Sequence, residues 1–476
     1  MATWAVPATA GARPTAPGAA ELTAYLHAAQ RDTGLPGVAA AVVQGDRTVF
    51  VGGVGRDGAG GTVSPSTRFR VASLSKSFTA VAVLQLVQDG RIGLDGPVRA
   101  HLPAFLPNDP GAGRVTVRHL LNQTSGLADS SWPQVADDSA DDLAARVAGL
   151  RTARLVDEPG SRFHYTDLNY QVLGRLVEVV AGIPLDRYLR ERVLDPLGMG
   201  STVSVPTAAA GARLDGLARG SVLLFGRPVA RNELDGLLAG SSGVVTTAAD
   251  MARWLSFQLT GRTPTGEVPL RPELLDLTHR PPEDSGSGYA MGWQLTSGPA
   301  GPVRLEHTGV LSTTFAHQVL LPDTGVAFAL LYNGNSALAD TAGVADGVAA
   351  LLAGEEPAAV RDIRLTVGLL AAVGLAVLAA GARGLRRAAR WAARRRTRPG
   401  WTTAVRLTAP VLPAVLLVLL PGILRKVIDR SFTAWQLTLA APDVVLVLVV
   451  GAVTGLAVSA ARGVALIRTR APAGEQ

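Results

Sequence analysis

The sequence predicts an α+β protein: an antiparallel sheet covered by helices as an α/β sandwich, with an inserted helical subdomain and C-terminal transmembrane helices. Three observations lead to this prediction. Strand patterns occur near both ends of residues 21–355, and helix and loop patterns dominate the middle, from about 95 to 235. Strands on either side of a helical middle are typical of one sheet that carries an inserted subdomain. After residue 360 come three apolar stretches, each close to the roughly 20 residues that span a bilayer as a helix.

The first elements are a helix and a β-hairpin. The helix is predicted over 21–30, and two strands, 37–43 and 48–54, flank a Gln-Gly-Asp-Arg turn. The next helix, 73–89, is apolar nearly all round and ends at a glycine. A helix without a polar face is a buried one, so we expect it at the centre of the domain.

Two clear helices follow, and then strand patterns return. The helix 168–181 ends at Gly182, and the helix 247–259 begins after a threonine cap. The last two strands are joined by a Pro-Asp-Thr-Gly turn, and a final helix precedes the membrane. The late strands are predicted over 289–295, 303–308, 315–321 and 326–332, and the final helix over 338–352.

The apolar stretches predict transmembrane helices over 363–382, 405–424 and 442–461. The basic loop 383–404 carries eight arginines and the tail 462–476 carries three more. The connection between the second and third stretches carries only three cations, partly offset by one acid. The positive-inside rule therefore makes the basic loop and the tail cytoplasmic, in a multi-pass cell-membrane protein whose N-terminal region is extracytoplasmic. Buried core helices are the alternative, but an arginine-rich loop does not fit a globular interior.

Residues 1–20 are expected to form a flexible N-terminal segment. They lack the basic start and the apolar core of about 7–15 residues that mark a signal peptide. We expect that an export signal is missing from this segment. An inverted topology would remove the need for a signal, but it would place the eight arginines outside the cell.

The charge distribution and the composition exclude several function classes. Residues 361–476 carry a net charge of +13, which leaves −6 for residues 1–360, so nucleic-acid binding is not expected. The chain contains no cysteine, which excludes disulfides, thiol nucleophiles and cysteine-ligated metals. The seven histidines show no paired metal-binding spacing, so neither a metal nor another cofactor is expected.

A serine and a lysine one helical turn apart are the strongest catalytic signal. Only two of the 45 basic residues are lysines, and one of them, Lys76, stands three positions after Ser73. Unlike arginine, lysine can lose its proton when it is desolvated. Residues i and i+3 share one face of a helix, so the amine would lie beside the hydroxyl and could activate it as a nucleophile. The pair alone does not distinguish catalysis from coincidence.

Further motifs follow in an order that a known family uses. They are Ser73-Leu74-Ser75-Lys76, Thr124-Ser125-Gly126-Leu127, Tyr165-Thr166-Asp167, Gly240-Ser241-Ser242-Gly243 and His307-Thr308-Gly309-Val310. With these motifs, residues 21–355 resemble the class C β-lactamase-like serine hydrolases. That group includes penicillin-binding-protein-like D-alanyl-D-alanine carboxypeptidases, D-aminopeptidases and esterases.

The resemblance implies a role for each matching residue. Ser73 would be the acylated nucleophile, and Lys76 and Tyr165 would together accept and return its proton. The backbone N–H groups of Ser73 and Val310 would form the oxyanion hole. An interface tyrosine and an ordinary strand histidine remain the alternative interpretations of Tyr165 and His307. The residues expected to bind the substrate or its oxyanion are Asp167, His307, Thr308, Gly309 and Val310.

Two positions differ from the family pattern. Asp167 stands where the family has an asparagine. A carboxylate near Lys76 favours the ammonium form, so we expect Lys76 to act as a charge that assists Tyr165 rather than as a neutral base. His307 stands where true β-lactamases have a lysine, which argues against strong β-lactamase activity. A protonated His307 would bind a substrate carboxylate and would set a pH preference near neutrality.

The sequence therefore predicts a membrane-anchored serine hydrolase that works through an acyl-enzyme. Its expected substrates are D-amino-acid peptide amides, as for a DD-carboxypeptidase, or small esters or β-lactams. The expected partners are a small molecule or cell-wall peptide and the membrane. A catalytically weak, penicillin-binding-like pseudoenzyme that binds peptidoglycan or signals through the membrane segment is the alternative. A transporter is disfavoured because the three spans contain almost no polar residues.

Overall fold

The computed structural model describes residues 18–132, 140–283, 286–296, 303–395 and 399–470. Most of the expected N-terminal segment, part of the basic loop (Arg396 and Arg398) and the end of the tail lie outside the described residues. The strands are β1 (Gly37–Gln44), β2 (Arg47–Gly55), β3 (Phe69–Arg70), β4 (Val203–Ser204), β5 (Ser221–Leu224), β6 (Arg227–Ala230), β7 (Val244–Thr246), β8 (Tyr289–Ala290), β9 (Trp293–Thr296), β10 (Arg304–Val310), β11 (Phe315–Leu321) and β12 (Val326–Tyr332). The α-helices are α1 (Ala19–Thr33), α2 (Ser75–Gln88), α3 (Val117–Leu121), α4 (Leu143–Gly149), α5 (Asp167–Ala181), α6 (Leu185–Leu189), α7 (Ala208–Gly211), α8 (Ala248–Thr260), α9 (Pro272–Thr278), α10 (Thr341–Leu352), α11 (Ile363–Arg386), α12 (Ala388–Ala393), α13 (Gly400–Thr408), α14 (Leu412–Ile428), α15 (Ala434–Ala440) and α16 (Pro442–Arg470).

One antiparallel sheet forms the centre of the N-terminal region, as predicted. Within the described residues it contains seven strands in the order β2-β1-β12-β11-β10-β9-β8. The N-terminal hairpin pairs with the last strand of the chain, and Val38 of β1 lies opposite Tyr332 of β12. The helices α3 to α7 come from the middle of the sequence, between the strands that build this sheet. The α+β fold class is therefore confirmed.

The sheet is covered by helices on both faces because its inner strands are apolar on both sides. Alternate residues of a strand point to opposite faces. Ala329 and Leu331 of β12 belong to the core that contains α2 and α8. Phe328 and Leu330 belong to a second core, which contains α1 and α10.

The helix predicted over 73–89 is buried, but it begins with a tighter turn. Residues Ala72–Leu74 form a 3₁₀ turn and α2 follows from Ser75. Most of its side chains are buried, and Phe78 stacks on Trp254 of α8 with ring centroids 3.7 Å apart. This packing fixes the N-terminal end of α2, where the Ser-x-x-Lys motif lies.

The strand predicted over 289–295 is interrupted, and the prediction of one continuous strand is wrong. Two short strands, β8 and β9, are joined by Met291 and Gly292, both with positive φ (31° and 96°). A side chain at Gly292 would lie 2.6 Å from the backbone nitrogen of Ser77. The chain must therefore turn sharply here to pass the start of α2, and a glycine permits the close approach.

Three helices after residue 360 are long and apolar enough to cross a membrane: Ile363–Arg386, Gly400–Val427 and Pro442–Thr469, with mean hydropathies of 2.2 to 2.5. The second begins earlier than predicted, because α13, a 3₁₀ turn and α14 form one helical stretch. Glycines allow the helices to approach closely. A side chain at Gly455 of α16 would lie 1.8 Å from the Pro410 carbonyl oxygen.

Candidate active site

Ser73 lies in a strained turn at the N-terminal end of α2. The residue before it, Ala72, has φ of +48°, in the left-handed region that a non-glycine residue adopts at a cost of roughly 1–2 kcal/mol. The turn connects β3 to α2, and Ser73 is half-buried within it. Strain of this kind is often stored where a reactive side chain has to be held in one position.

The ammonium group of Lys76 is fully buried directly beneath the Ser73 hydroxyl. Its Nζ donates hydrogen bonds to Ser73 Oγ at 3.0 Å, to Asp167 Oδ1 at 2.5 Å and to the Ser241 carbonyl oxygen at 3.2 Å. The side chain is 0% exposed. The structure thus brings the two residues of the motif together as their spacing predicted, and these three acceptors match the three hydrogens of an ammonium group.

The charges around Lys76 keep it protonated. Burial by itself lowers the pKa of Lys76, but the charges and hydrogen bonds of Asp167 and Tyr165 outweigh burial and raise the pKa above its ordinary value. Burial by itself raises the pKa of Asp167. The nearby cations Lys76 and Arg430 outweigh burial and hold the pKa of this carboxyl group well below its usual range. The geometry therefore supports an ammonium–carboxylate pair rather than a neutral amine beside Ser73.

Tyr165 and Asp167 reach the site from the N-terminal end of α5. Thr166 caps this helix by accepting a hydrogen bond from Leu168 N–H, and Asp167 is the first helical residue. The Tyr165 ring centroid lies 5.0 Å from Lys76 Nζ. The same ring packs edge-on against Tyr289, with centroids 5.8 Å apart. Because of the cap, a carboxylate and a phenol are presented together next to the same lysine.

The strand β10 forms the opposite side of the site. A side chain at Gly309 would lie 2.1 Å from the Val71 carbonyl oxygen, so a glycine is what allows β10 to approach the Ser73 turn. Val310 is 55% exposed, and together with Thr308 it lines the cavity that also contains Ser73. Gly309 itself packs against the turn and does not line this cavity.

His307 is neutral over the ordinary pH range, which corrects the expectation of a charge near neutrality. Burial, followed by the charge of Lys76, lowers the pKa of His307 to about 3. Its Nδ1 lies 2.7 Å from the Thr308 carbonyl oxygen. A carbonyl only accepts, so Nδ1 carries the hydrogen and Nε2 is left as an acceptor. His307 can therefore accept a hydrogen bond, but it does not offer a cation to a substrate carboxylate.

A cavity of about 660 Å³ joins these residues. Such a volume is within the range of small-molecule sites. Among the described residues, no group of three or more histidine, aspartate or glutamate side chains is placed to hold a metal ion. The predicted site residues that line the cavity are Ser73, Tyr165, Asp167, His307, Thr308 and Val310.

Arg430 and Phe432 are among the cavity-lining residues that the sequence analysis missed. Arg430 and Phe432 line the same cavity, although they belong to the connection between α14 and α15. The Arg430 guanidinium is 3.1 Å from Asp167 Oδ2 and 3.1 Å from Asp129 Oδ2. The only signal in the sequence is that this connection carries a cation on the side predicted for the N-terminal region. No local spacing relates Arg430 to Asp167.

Comparisons with known proteins identify similar sequences. A family model described as Beta-lactamase matches residues 22–353. Penicillin-binding protein 4 of Amycolatopsis lactamdurans is 31% identical over 314 residues, which are 64% of this chain and 82% of that protein. Protein flp of Staphylococcus aureus (strain COL) is 27% identical over 315 residues. That match covers 63% of this chain and 60% of Protein flp, so the chain spans less than two thirds of that relative.

Solved structures share the fold. The octameric penicillin-binding protein homologue from Pyrococcus abyssi superimposes with a TM-score of 0.60 at 23% identity, over 71% of this chain and 78% of that one. EstCE1, a hydrolase with promiscuous acyltransferase activity, superimposes with a TM-score of 0.55 at 22% identity, over 66% of this chain and 92% of that one. At these identities the likeness shows the fold alone.

Proposed function

The chain belongs to the β-lactamase family and is a serine hydrolase, and we propose that it is membrane-anchored and works through an acyl-enzyme at Ser73. The observation that carries the proposal is the 3.0 Å hydrogen bond from the buried Lys76 Nζ to Ser73 Oγ, at the floor of a cavity. An ammonium group in this position holds Ser73 Oγ in place and favours loss of its proton, because a nearby positive charge stabilises the deprotonated form. The proposed catalytic unit is the domain 21–355.

In the proposed reaction, Ser73 Oγ attacks the substrate carbonyl carbon while its proton passes to Tyr165. Lys76 remains an ammonium group and stabilises the phenolate form of Tyr165. The backbone N–H groups of Ser73 and Val310 receive the oxyanion of the tetrahedral intermediate. Collapse of the intermediate releases the amine or alcohol, which takes the proton from Tyr165. Water then attacks the acyl carbon and gives a proton to Tyr165. Tyr165 returns this proton to Ser73 Oγ as the free acid leaves.

We propose D-amino-acid peptide amides or small esters as substrates, with β-lactams as weaker acyl donors. The relatives named as penicillin-binding proteins support the first class. The neutral His307 supports esters, because it offers no charge to a free carboxylate. Hydrolysis of D-Ala-D-Ala peptides, p-nitrophenyl esters and β-lactams by the full chain in detergent, with Ser73→Ala as the control, tests the proposal. Turnover that survives in Ser73→Ala, or no turnover of any of the three classes, would contradict it.

We also propose that the catalytic domain is extracytoplasmic, and that the loop 383–404 and the tail 462–476 are cytoplasmic. The connection between α14 and α16 and the first turn of α16 touch the catalytic domain at several points, which supports placing both on one side of the membrane. Phe225 N–H donates to Asp443 Oδ1 at 2.7 Å, and Ala337 N–H donates to the Ala440 carbonyl oxygen at 2.8 Å. The arginine-rich loop then lies on the other side, and the positive-inside rule makes that side cytoplasmic.

Two alanines at exposed positions provide a matched test of this topology. The chain contains no native cysteine, so Ala434→Cys and Ala389→Cys each create a single thiol. In intact cells an impermeant maleimide should label Ala434→Cys, and it should label Ala389→Cys only after the cells are permeabilised. The reverse pattern would place the catalytic domain in the cytoplasm.

A further inference from the structure

We propose that Arg430, which the membrane region supplies, is a positioning residue of the active site: it balances the charge of Asp167 and Asp129 and holds Asp167 against Lys76. It belongs to the docking loop, defined as residues 429–432 between α14 and α15. The inference deepens the proposed function and rests on it, since it concerns the same site.

The docking loop is attached to the catalytic domain by a series of polar contacts. Asp429 ends α14 in the left-handed conformation, with φ of 51°. Its carboxylate contacts His164 Nδ1 at 2.6 Å. The next contact is made by the Ser431 N–H group, which donates to Asp129 Oδ2 at 3.0 Å. These contacts lie on both sides of Arg430, so its guanidinium group is held at the rim of the cavity.

Arg430 is the link between the loop and the catalytic residues. Its guanidinium bridges two carboxylates, at 3.1 Å from Asp129 and 3.1 Å from Asp167. The guanidinium carbon lies 5.0 Å from the centre of the Tyr165 ring. The other oxygen of Asp167 contacts Lys76. Asp167 therefore lies between a cation of the catalytic helix and a cation of the membrane region.

The docking loop brings to this point a cation that contacts both carboxylates. Asp129 is 5% exposed, and its other described side-chain partner is the neutral Thr166 hydroxyl, 2.7 Å away. Among the described contacts, Arg430 is the cation that joins Asp129 to Asp167. Removing one partner from a buried ion pair leaves an uncompensated charge, which is strongly unfavourable. The planar fork of arginine suits the bridge, because a lysine ammonium is a single point charge.

The balance has a consequence for catalysis. A nearby positive charge favours the deprotonated forms of Lys76 and Tyr165, so removing the cation Arg430 makes it harder for either group to lose its proton. The charged and titratable groups nearest to Arg430 are Asp129, Asp167, Tyr165 and, through Asp167, Lys76. The adjoining cavities are also lined by Arg146, Glu233 and Asp235 on one side and by Tyr289, Arg304, Glu306, neutral His307, His317 and Asp346 on the other. Loss of Arg430 should therefore move the acid limb of the kcat/KM profile to higher pH, a change that a purely structural contact would not produce.

The test is a double-mutant cycle on the full chain in detergent, with hydrolysis of a neutral p-nitrophenyl ester as the readout. Arg430→Gln should lower kcat/KM about 10- to 100-fold and shift the acid limb upward by roughly one pH unit. In the Asp167→Asn background, where one carboxylate has become a neutral amide, the same change should cost less than about threefold, because contacting residues are not additive. Arg425→Gln is the matched control: Arg425 is exposed near the end of α14, and its removal should leave kcat/KM unchanged.

Three results of the double-mutant cycle would each overturn the proposal. They are an equal loss of kcat/KM for Arg430→Gln in both backgrounds, an acid limb that does not shift, and an equal loss of kcat/KM for Arg425→Gln. If Arg430→Gln fails to fold, the proposal requires that Asp167→Asn/Arg430→Gln does fold, and it is overturned if neither does. A wild-type chain that shows no Ser73-dependent turnover would overturn the proposed function and this inference together. An active wild-type chain with no coupling would overturn this inference alone.

Discussion

The two halves of the active site are held in place by different forces. Ser73 and Lys76 lie at the start of a buried helix, whose Phe78 stacks on Trp254 in a close-packed core. Arg430 and Phe432 lie on a short loop between α14 and α15, and the Arg430 side chain is 25% exposed. Packing therefore fixes Ser73 and Lys76, whereas ion pairs and backbone hydrogen bonds fix the loop.

We therefore expect the two halves of the site to have different roles. Close packing determines the geometry of the reacting atoms to a fraction of an ångström, because a packed core tolerates little displacement. The ion pairs of Arg430 are only partly buried and depend on charge balance, so they are suited to tuning the electrostatics of the site. Variants in each half should accordingly change different quantities.

Lys76→Arg should have the largest effect. Arginine keeps the charge, but its planar fork is larger than an ammonium group and cannot make the same three hydrogen bonds to Ser73, Asp167 and Ser241. We expect kcat/KM for an ester to fall at least ~100-fold, the usual contribution of acid–base catalysis. Lys426→Arg, at the other lysine of the chain, is the matched control and should be neutral. A near-normal Lys76→Arg enzyme would show that the packed half does not depend on the lysine.

Asp167→Asn should lower stability at neutral pH. Because the pKa of this carboxyl group is lowered on folding, its contribution is present above the unfolded pKa of ~4 and is lost as the pH falls through the folded value. We expect a loss of about 2 kcal/mol at pH 7, below the usual cost of breaking a buried pair, because the side chain is 30% exposed.

Denaturant unfolding followed from pH 7 to pH 3 checks this prediction. The difference between wild type and Asp167→Asn should shrink below pH ~4. Asp323→Asn, at an exposed turn, should stay within about 0.5 kcal/mol of wild type throughout. A pH-independent difference would mean that the amide disturbs packing and that the charge pair is not what the substitution removes.

Phe432→Ala should change substrate binding more than turnover. The ring forms part of the wall of the cavity that His307 also lines, and it does not touch Lys76 in any described contact. We expect KM for a bulky aryl ester to rise about three- to tenfold, the effect of losing part of an apolar contact, with kcat nearly unchanged. Trp435→Ala, an exposed aromatic residue of α15, is the control. A fall in kcat without a change in KM would mean that the loop contributes to the chemical step.

His307 should make no contribution to the pH dependence of substrate binding. Because burial lowers its pKa to about 3, it stays neutral from pH 5.5 to 8.5. KM for a peptide with a free C-terminus should therefore show no inflection near ~6.5, the ordinary pKa of histidine. Measuring KM across this range in wild type and His307→Gln checks the point. An inflection that disappears in His307→Gln would restore a charged role for this residue.

The sequence predicted what depends on local spacing. The strands 315–321 and 326–332 have the predicted bounds, and Lys76 reaches Ser73 because i and i+3 share a helix face. It did not predict the break at Gly292, because the cause is a close approach to Ser77, which is distant in the chain. Arg430 was missed for the same reason, since 263 positions separate it from Asp167.

The charge of His307 was mispredicted because burial, rather than residue type, decides its protonation. Its neighbours in the sequence, Glu306 and Thr308, do not reveal that the ring is enclosed next to the Lys76 ammonium. The motifs thus predicted that Ser73 and Lys76 meet and, through Asp167, that Lys76 is charged, but the neutral state of His307 required the packed structure.

The most direct test of the acyl-enzyme is peptide mass spectrometry of the full chain after reaction with a fluorophosphonate. A single adduct should appear on the peptide that contains Ser73, and it should be absent from Ser73→Ala. Arg430→Gln should form the same adduct more slowly, since its nucleophile is intact and only its electrostatic surroundings have changed. An adduct on another residue, or labelling that persists in Ser73→Ala, would contradict the assignment of Ser73 as the nucleophile.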